Sequence, residues 1–517
     1  MSFVGVGEWL GRRELYTPNK IGLIDVASDT RFSYRALNCR ARALATWLTE
    51  AYRIEQGDRV AILAANCPEY LDAFFACALL GAILVPLNWR LTPPELATIL
   101  TDATPKLLLH DAGQQAPASE VALRLRATLA DPPALLPLAA FPGANVALAA
   151  RATPFQTQDG EEPALILYTS GTTGVPKGAL LSHRMITWNA INTQVTWGLR
   201  ETDSAPISLP FFHAGGLNVL TTPLYSCGGT VALLRDSEPA AVLRAIERER
   251  CSIVFTVPTV YQSWQAHPAF ATTDFSSVRF CVTGGSSCPL PLITRYAERG
   301  LVFCQGYGLT EVGVNCFSLS PEDALRKIGS VGQPIFHSQA RIVDEAGNET
   351  PPGVVGELTL AGPHVCSGYW RRPEATAEAY RNGWWHTGDL ARRDADGYYY
   401  IVGRKKDMYI SGGENVYPAE IEGLLVTHPA IADAAVIAQP DARWGEVGVA
   451  VVVPSTPGGI SAEEVLAFCD GKLARFKLPR RIVFADALPR NAMGKVVKAE
   501  LRARYIPAQA PVPPAQA

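Results

Sequence analysis

Over most of the chain, short runs of consecutive apolar residues alternate with stretches in which apolar positions recur every three or four residues. Runs at 59–63, 164–168, 230–234, 253–257 and 278–282 read as buried strands. The stretches 34–49 and 239–250 read as helices, the second with Val242, Leu243 and Ile246 on one face. Alternation of this kind predicts largely parallel sheets covered by helices. The uncharged stretch 73–89 is short of the roughly 18–20 residues a membrane span needs and contains Gly81, Pro86 and Asn88. It predicts a buried helix turning into a buried strand. The apolar stretch 204–234 carries three Pro, four Gly and His213, which suits a strand–loop–helix–strand passage. No transmembrane segment is expected. Residues 111–162, rich in Ala, Pro and Gln with weak periodicity, read as a partly irregular surface connection.

Beyond about residue 330 the pattern changes. Short strands at 340–343, 356–360 and 397–402 are separated by the turns Asp344-Glu-Ala-Gly347 and Asp394-Ala-Asp-Gly397, an antiparallel signature. From Gly403 a charged stretch opens and a compact αβ pattern runs to Ile506; the Pro/Ala-rich 507–517 reads as a disordered tail. The expected fold is α/β. A large multi-layered N-terminal domain (1–405) has mainly parallel sheets plus a β-rich subdomain, and a small α+β domain follows (406–506).

Length and composition narrow the class. A chain of 517 residues with 48% hydrophobic and 18% charged residues is a multidomain globular protein, neither disordered nor fibrous. A net charge of −3 offers no basic footprint for nucleic acid. The eleven Cys form no C-x-x-C pair and no zinc-spaced Cys/His cluster, so they read as small buried residues of a reducing compartment. The N-terminal residues lack the ordered basic, apolar and cleavage regions of a signal peptide, and a cytoplasmic setting is expected. Only ten of the 46 basic residues are Lys, which adds weight to any Lys inside a motif.

The strongest local signal is Tyr168-Thr-Ser-Gly-Thr-Thr-Gly-Val-Pro-Lys-Gly178, which follows a buried strand. Its glycines let backbone N–H groups approach an anion, while hydroxyls and Lys177 add donors and charge. It does not match a Walker A loop, and the chain has no G-x-S-x-G, H-E-x-x-H, kinase catalytic loop or G-x-G-x-x-G.

This loop is followed in order by Gln305-Gly-Tyr-Gly-Leu-Thr-Glu311, Thr387-Gly-Asp389, Gly403-Arg-Lys-Lys-Asp407, Ser411-Gly-Gly-Glu-Asn415 and Pro489-Arg-Asn-Ala-Met-Gly-Lys495. Together they resemble the adenylate-forming superfamily, and within it bacterial fatty-acyl-CoA synthetases, from about residue 10 to about 505. The resemblance implies a two-step ligase. A carboxylate attacks the α-phosphorus of ATP and releases pyrophosphate; a coenzyme A thiol then attacks the acyl carbon and AMP leaves.

By the same resemblance, Thr169, Ser170, Gly171, Thr172, Thr173, Gly174 and Lys177 hold the β- and γ-phosphates. Gly285, Gly306, Tyr307 and Gly308 line the adenine, and Thr310 donates to the α-phosphate. Glu311 is a Mg²⁺ ligand, with Thr173 beside it; Asp389 and Arg404 contact the ribose. Lys495 bridges the carboxylate and α-phosphate in the first step. Phe212, His213, Gly216, Val257, Gly284, Leu309 and Gly313 line the acyl pocket, where His213 is a lining or gating residue and, as an alternative, a base. The small domain is implied to be mobile, swinging about a hinge at Lys406 so that Ser411, Gly412 and Gly413 form a pantetheine tunnel with Lys477 near the CoA nucleotide.

The implied partners are a carboxylic acid, ATP with Mg²⁺, and coenzyme A; nucleic acid is not among them. A homodimer and peripheral membrane contact are left open. The pocket segments are mostly apolar and supply no evident cation for a second carboxylate, which argues against a diacid. A medium- or long-chain fatty acid is the first expectation. The alternatives are an aryl or cinnamic-type acid, or transfer of the acyl group to a carrier-protein thiol.

Overall fold

The computed structural model describes residues 3–157, 159–169, 176–286, 288–490 and 496–506. Two compact units emerge from the contacts. The larger comprises 1–285, 294–340 and 359–386; the smaller comprises 286–293, 341–358 and 387–517.

The larger unit is built on three sheets. In the first, the strand order is Ala134–Pro137, Leu107–His110, Arg59–Leu63, Ile83–Pro86, Pro163–Thr169 and Lys177–Ser182. The first five strands are parallel and the last two form an antiparallel hairpin. Their near-continuous Val/Ile/Leu content fits strands buried on both faces. In the second sheet Ile21–Asp25, Thr230–Leu233 and Ser204–Ile207 run parallel, with Thr30–Ser33 antiparallel at the edge. The third carries Ile253–Thr256, Phe280–Thr283 and Phe303–Tyr307 in parallel, then two short antiparallel strands. The 73–89 stretch folds as expected: helix Pro68–Leu80 is buried along almost its whole length and leads into strand Ile83–Pro86.

The 111–162 segment is mostly exposed and partly irregular, as expected, but it also holds regular elements. It contributes helix Gln115–Leu125, whose Ala118, Val121, Ala122 and Leu125 are buried, and the edge strand Ala134–Pro137. Alanine-rich helices carry a weak apolar contrast, so a face that packs in three dimensions is faint in the sequence.

In the smaller unit the long strands Ile431–Asp441 and Gly445–Pro454 pair antiparallel, and Arg481–Phe484 joins in parallel. Alternation along them makes two cores. Val436, Ala450 and Val452 face Ile421, Leu425 and Val465, while Ile437, Val449 and Val451 face Leu488 and Leu501. Residues 389–393 pair antiparallel with Tyr399–Arg404, which sets Asp389 opposite Arg404. Among the described residues no helix is long and apolar enough to cross a membrane.

Candidate functional site

In the larger unit the expected phosphate loop joins the two strands of a hairpin, in which Thr169 pairs with Lys177. Ser170, Gly171, Thr172, Thr173 and Gly174 lie outside the described residues. A third segment, 366–370, lies beside the hairpin. Leu180 N donates to Gly368 O (2.9 Å), Ser367 N to Leu180 O (3.2 Å) and Trp370 N to Gly178 O (2.7 Å). This pairing carries Tyr369 opposite Ala179. Glycine is required at 178, because a Cβ there would stand 2.6 Å from Ile166 Cγ2.

Glu311 meets this hairpin. It sits in a 3₁₀ turn, Thr310–Val312, and is buried (8% exposed) together with Thr310. Its Oε1 accepts from Tyr369 OH at 3.1 Å and from Thr169 Oγ1 at 3.4 Å, and its carbonyl accepts from Cys366 N at 2.8 Å. Lys177 Nζ stands 5.3 Å from the centre of the Tyr369 ring. Burial, then the charge of Glu311, pushes the Tyr369 phenol well above its ordinary range, so it stays a donor. The fold thus brings Thr169, Lys177 and Glu311 together, and adds Tyr369. Among the described residues no cluster of three or more His, Cys, Asp or Glu could hold a metal. The donor set at Glu311, one carboxylate steadied by two hydroxyls, suits Mg²⁺, which takes one or two protein carboxylates and completes its shell with phosphate oxygens and water.

The Gly-Tyr-Gly turn leads into Thr310. Cys316 N donates to Tyr307 O (2.9 Å), and a Cβ on Gly308 would stand 2.2 Å from Val314 O. The chain therefore crosses itself here with only a hydrogen to spare. Gly284 faces Gly306 on the neighbouring strand, with a Cβ at Gly284 3.2 Å from Gly306 O, and Gly285 (φ +82°) lies beside Val257. These glycines leave a flat strip of main chain next to Tyr307, whose ring packs edge-on against Phe317.

Of the acyl-pocket residues, His213 caps a short helix, its Nδ1 accepting from Gly215 N at 3.0 Å. Gly216 abuts Pro210 O, where a Cβ would be 2.2 Å away, and Phe212 is buried edge-on to Trp89. Leu309 precedes the Thr310 turn and Gly313 (φ +78°) ends it, lying against His364 and Asn189. Thr310 and Gly313 border a narrow cleft, whose other walls include Met185, Ile186, Asn189 and Asn218. Asn189 Nδ2 donates to Asn218 O at 2.7 Å, and its Oδ1 has no partner among the described residues. Met185, Ile186 and Asn189 come from helix His183–Trp197, which is capped by Ser182, whose hydroxyl accepts from Met185 N, and Asn218 comes from the turn Leu217–Thr221. Sequence reasoning missed that helix as a pocket wall; the asparagines on an otherwise buried helical face were the available signal.

His364 and His183 are fully buried, and burial holds each near a pKa of about 4 against an ordinary 6.5. His364 Nδ1 contacts Val312 O behind the Thr310–Glu311 turn. Both are neutral in the fold, and the unfolded chain binds their protons more readily. Their stabilisation is therefore present above pH 6.5 and lost as pH falls through about 4. Thermal unfolding midpoints should drop across that window, with a shallower fall in His364→Gln.

In the smaller unit the two ribose candidates meet. Arg404 Nε stands 2.6 Å from Asp389 Oδ1; the carboxylate is buried and the guanidinium half-exposed. Lys406 lies in the 3₁₀ turn Lys405–Asp407 and is exposed, whereas Lys405 pairs with Glu357 at 3.2 Å. Ser411 is buried, and Gly412 (φ +62°) and Gly413 (φ +88°) form the turn after it. Gly412 N donates to Trp444 O at 2.8 Å, and a Cβ on Gly412 would stand 2.7 Å from the Trp444 ring. The guanidinium of Arg480 lies 5.0 Å from the centre of that ring and that of Arg443 5.7 Å. Trp444 is a second residue that sequence reasoning missed. Lys477 is tied to Glu420 by contacts of 2.7 and 2.8 Å. Lys495 lies outside the described residues.

Comparison with known proteins identifies the family. Residues 12–370 match the AMP-binding enzyme family and 420–495 match the AMP-binding enzyme C-terminal domain. The chain is 42% identical to a feruloyl-CoA synthase of Amycolatopsis over 97% of its length and 99% of the relative's. It is 41% identical to an indoleacetate–CoA ligase of Aromatoleum aromaticum (96% and 97% covered). Identity is 37% to a long-chain-fatty-acid–CoA ligase of Mycobacterium tuberculosis (97% and 98% covered). Among solved structures, o-succinylbenzoate CoA synthetase of Bacillus subtilis with its acyl-adenylate superimposes with a TM-score of 0.85 at 32% identity, covering 96% of this chain and 98% of the other. The chain belongs to the AMP-binding enzyme family of adenylate-forming proteins and is an AMP-forming acid–thiol ligase.

Proposed function

We propose that the protein activates an aryl acid with ATP and Mg²⁺ and transfers the acyl group to coenzyme A. The observation that carries the reading is the buried Glu311 carboxylate beside Thr169, whose pairing partner across the hairpin is Lys177. An acid and a cation next to a glycine- and hydroxyl-rich loop make a place for a metal-bound triphosphate. In this reading the loop residues through Lys177 hold the β- and γ-phosphates. Thr310 meets the α-phosphate, and Gly285, Gly306, Tyr307 and Gly308 flank the adenine. Asp389, oriented by Arg404, accepts from the ribose hydroxyls. Mg²⁺, held by Glu311 with Thr173 near it, would neutralise charge on the phosphate oxygens. The acid is already ionised at neutral pH, so Lys495, not a base, brings the two anions together.

One finding favours an aryl over an alkyl tail. Relatives named for feruloyl and indoleacetyl groups match at 42% and 41%, ahead of the long-chain-fatty-acid ligase at 37%. The long-chain-fatty-acid relative keeps a medium- or long-chain acid as the second reading. A hydroxamate-trapping screen of hydroxycinnamic, indoleacetic and C4–C18 acids tests both. Aryl acids are expected to give the highest turnover; no acid-dependent ATP–pyrophosphate exchange with any acid would end the adenylation reading.

For the second step, Ser411, Gly412 and Gly413 leave room for pantetheine. Trp444 with Arg480 and Arg443 offers a flat π face and two guanidinium groups, chemistry suited to a phosphorylated adenosine. Gly412→Val drives a side chain into Trp444 and should lower thioester formation from supplied acyl-adenylate and CoA by about tenfold or more, the order expected from misplaced reacting groups. Pyrophosphate exchange should stay within twofold of wild type, as read in a two-half-reaction assay.

A further inference from the structure

Glu311 and Lys177 carry opposite charges at the mouth of one hairpin, yet no ion pair joins them among the described residues. Tyr369 stands at both. Its hydroxyl donates to Glu311 Oε1 at 3.1 Å, and its ring face lies 5.3 Å from Lys177 Nζ. The tyrosine is itself fixed from three directions. The 366–370 segment is hydrogen-bonded to the hairpin strand at Gly178 and Leu180, Tyr369 N donates to Thr376 Oγ1 at 2.9 Å, and the ring packs against Trp385 at 5.5 Å. Gly368 (φ +126°) lets the chain make this approach, because a Cβ there would meet Thr376 Cγ2 at 2.5 Å.

We propose that Tyr369 is a positioning residue of the metal–triphosphate site, holding the Glu311 carboxylate by its hydroxyl and the Lys177 ammonium over its ring so that the two charges face ligand rather than each other. The inference rests on the reading of Glu311 and Lys177 as the Mg²⁺ and phosphate contacts. A direct Lys–Glu pair would spend both charges on one another, since opposite charges about 4 Å apart near a protein surface attract by several kcal/mol. The tyrosine offers each a weaker partner. A phenol hydrogen bond occupies one lone pair of Oε1 and leaves the other carboxylate oxygen available to a cation. A cation–π contact steadies the ammonium without covering its donors.

The test uses the full-length enzyme with ATP and either Mg²⁺ or, as a spectroscopic probe, Mn²⁺. Tyr369→Phe removes only the hydroxyl. It should raise the metal concentration for half-maximal pyrophosphate exchange by about tenfold, the loss expected for one hydrogen bond to a charged group, and weaken Mn²⁺ binding to the ATP-loaded enzyme equally by EPR titration. The KM for the acid and thioester formation from supplied acyl-adenylate should stay within twofold. Tyr369→Leu also removes the ring, so it should weaken binding of ATP itself in addition to that of the metal. Wild-type metal affinity in Tyr369→Phe overturns the proposal. So does an equal loss in both half-reactions, which marks a merely structural residue, and so does a Tyr369→Phe chain that does not fold. Failure of the underlying reading is distinguishable, because it appears in the wild-type enzyme as an absence of any acid-dependent exchange.

Discussion

Replacing Lys495 by Ala is expected to cut acid-dependent ATP–pyrophosphate exchange by on the order of 10²–10³-fold, the effect of deleting one preorganised donor where transition-state charge develops. In the first half-reaction a carboxylate approaches a polyphosphate, so two anions must be drawn together before any bond forms. No proton transfer lowers that barrier, because the acid is ionised from the start. A single ammonium reaching both the carboxylate and the α-phosphate oxygens acts on repulsion and on the negative charge of the pentavalent transition state at once. In the second half-reaction the electrophile is a mixed anhydride and the nucleophile a thiolate, so this bridge has no equivalent task. Thioester formation from supplied acyl-adenylate should therefore fall by no more than a few-fold. Equal losses in the two half-reactions would remove Lys495 from the first step and, with it, the idea that the small domain presents different residues for each step.

Gly308→Ala is the second change with a large expected effect, although it adds one methyl group. A Cβ at 308 would stand 2.2 Å from Val314 O and 2.4 Å from its carbonyl carbon, and main-chain atoms cannot swing aside as a flexible side chain can. The 308–314 loop must open, and that loop carries Thr310 and Glu311. Opening it pulls Glu311 Oε1 from Tyr369 and Thr169 and its carbonyl from Cys366 N. Displacing reacting groups by about 1 Å costs on the order of 10²-fold, so exchange activity should fall at least that far. The unfolding midpoint should move by only a few degrees, since the buried sheets beneath are untouched. An enzyme that keeps wild-type exchange after this substitution would exclude the close crossing at Gly308 as the support of the site.

How much was legible beforehand varied with the physics of each segment. Strands buried on both faces announced themselves as Val/Ile/Leu runs, and Arg59–Leu63 matches its expectation residue for residue. The helix Gln115–Leu125 did not, because its buried face is largely Ala and Val and differs little from its exposed one. Among site residues, Thr169, Lys177, Thr310 and Glu311 were legible as members of ordered, glycine-punctuated motifs. Tyr369 was not. It lies in a short stretch, Ser-Gly-Tyr-Trp, whose meaning comes from pairing with a hairpin almost two hundred residues earlier in the chain. Trp444 likewise reads as an ordinary turn aromatic until Gly412 is brought against it.

The linear chain was enough, through the family its motifs resemble, to assign the reaction class. Chemistry that handles a triphosphate needs glycines, hydroxyls and particular charges at close spacing along the chain, and such motifs keep their order whatever surrounds them. It also determined the alternation of strands and helices, because burial on both faces of a sheet is written residue by residue. Folding in three dimensions selected which distant side chains complete the site. It brought Tyr369 between Glu311 and Lys177, Arg404 onto Asp389, and Asn189 with Met185 and Ile186 around the cleft at Gly313. Those contacts join residues from about fifteen to two hundred positions apart, and packing across that distance leaves no periodicity in the chain for a local reading to find.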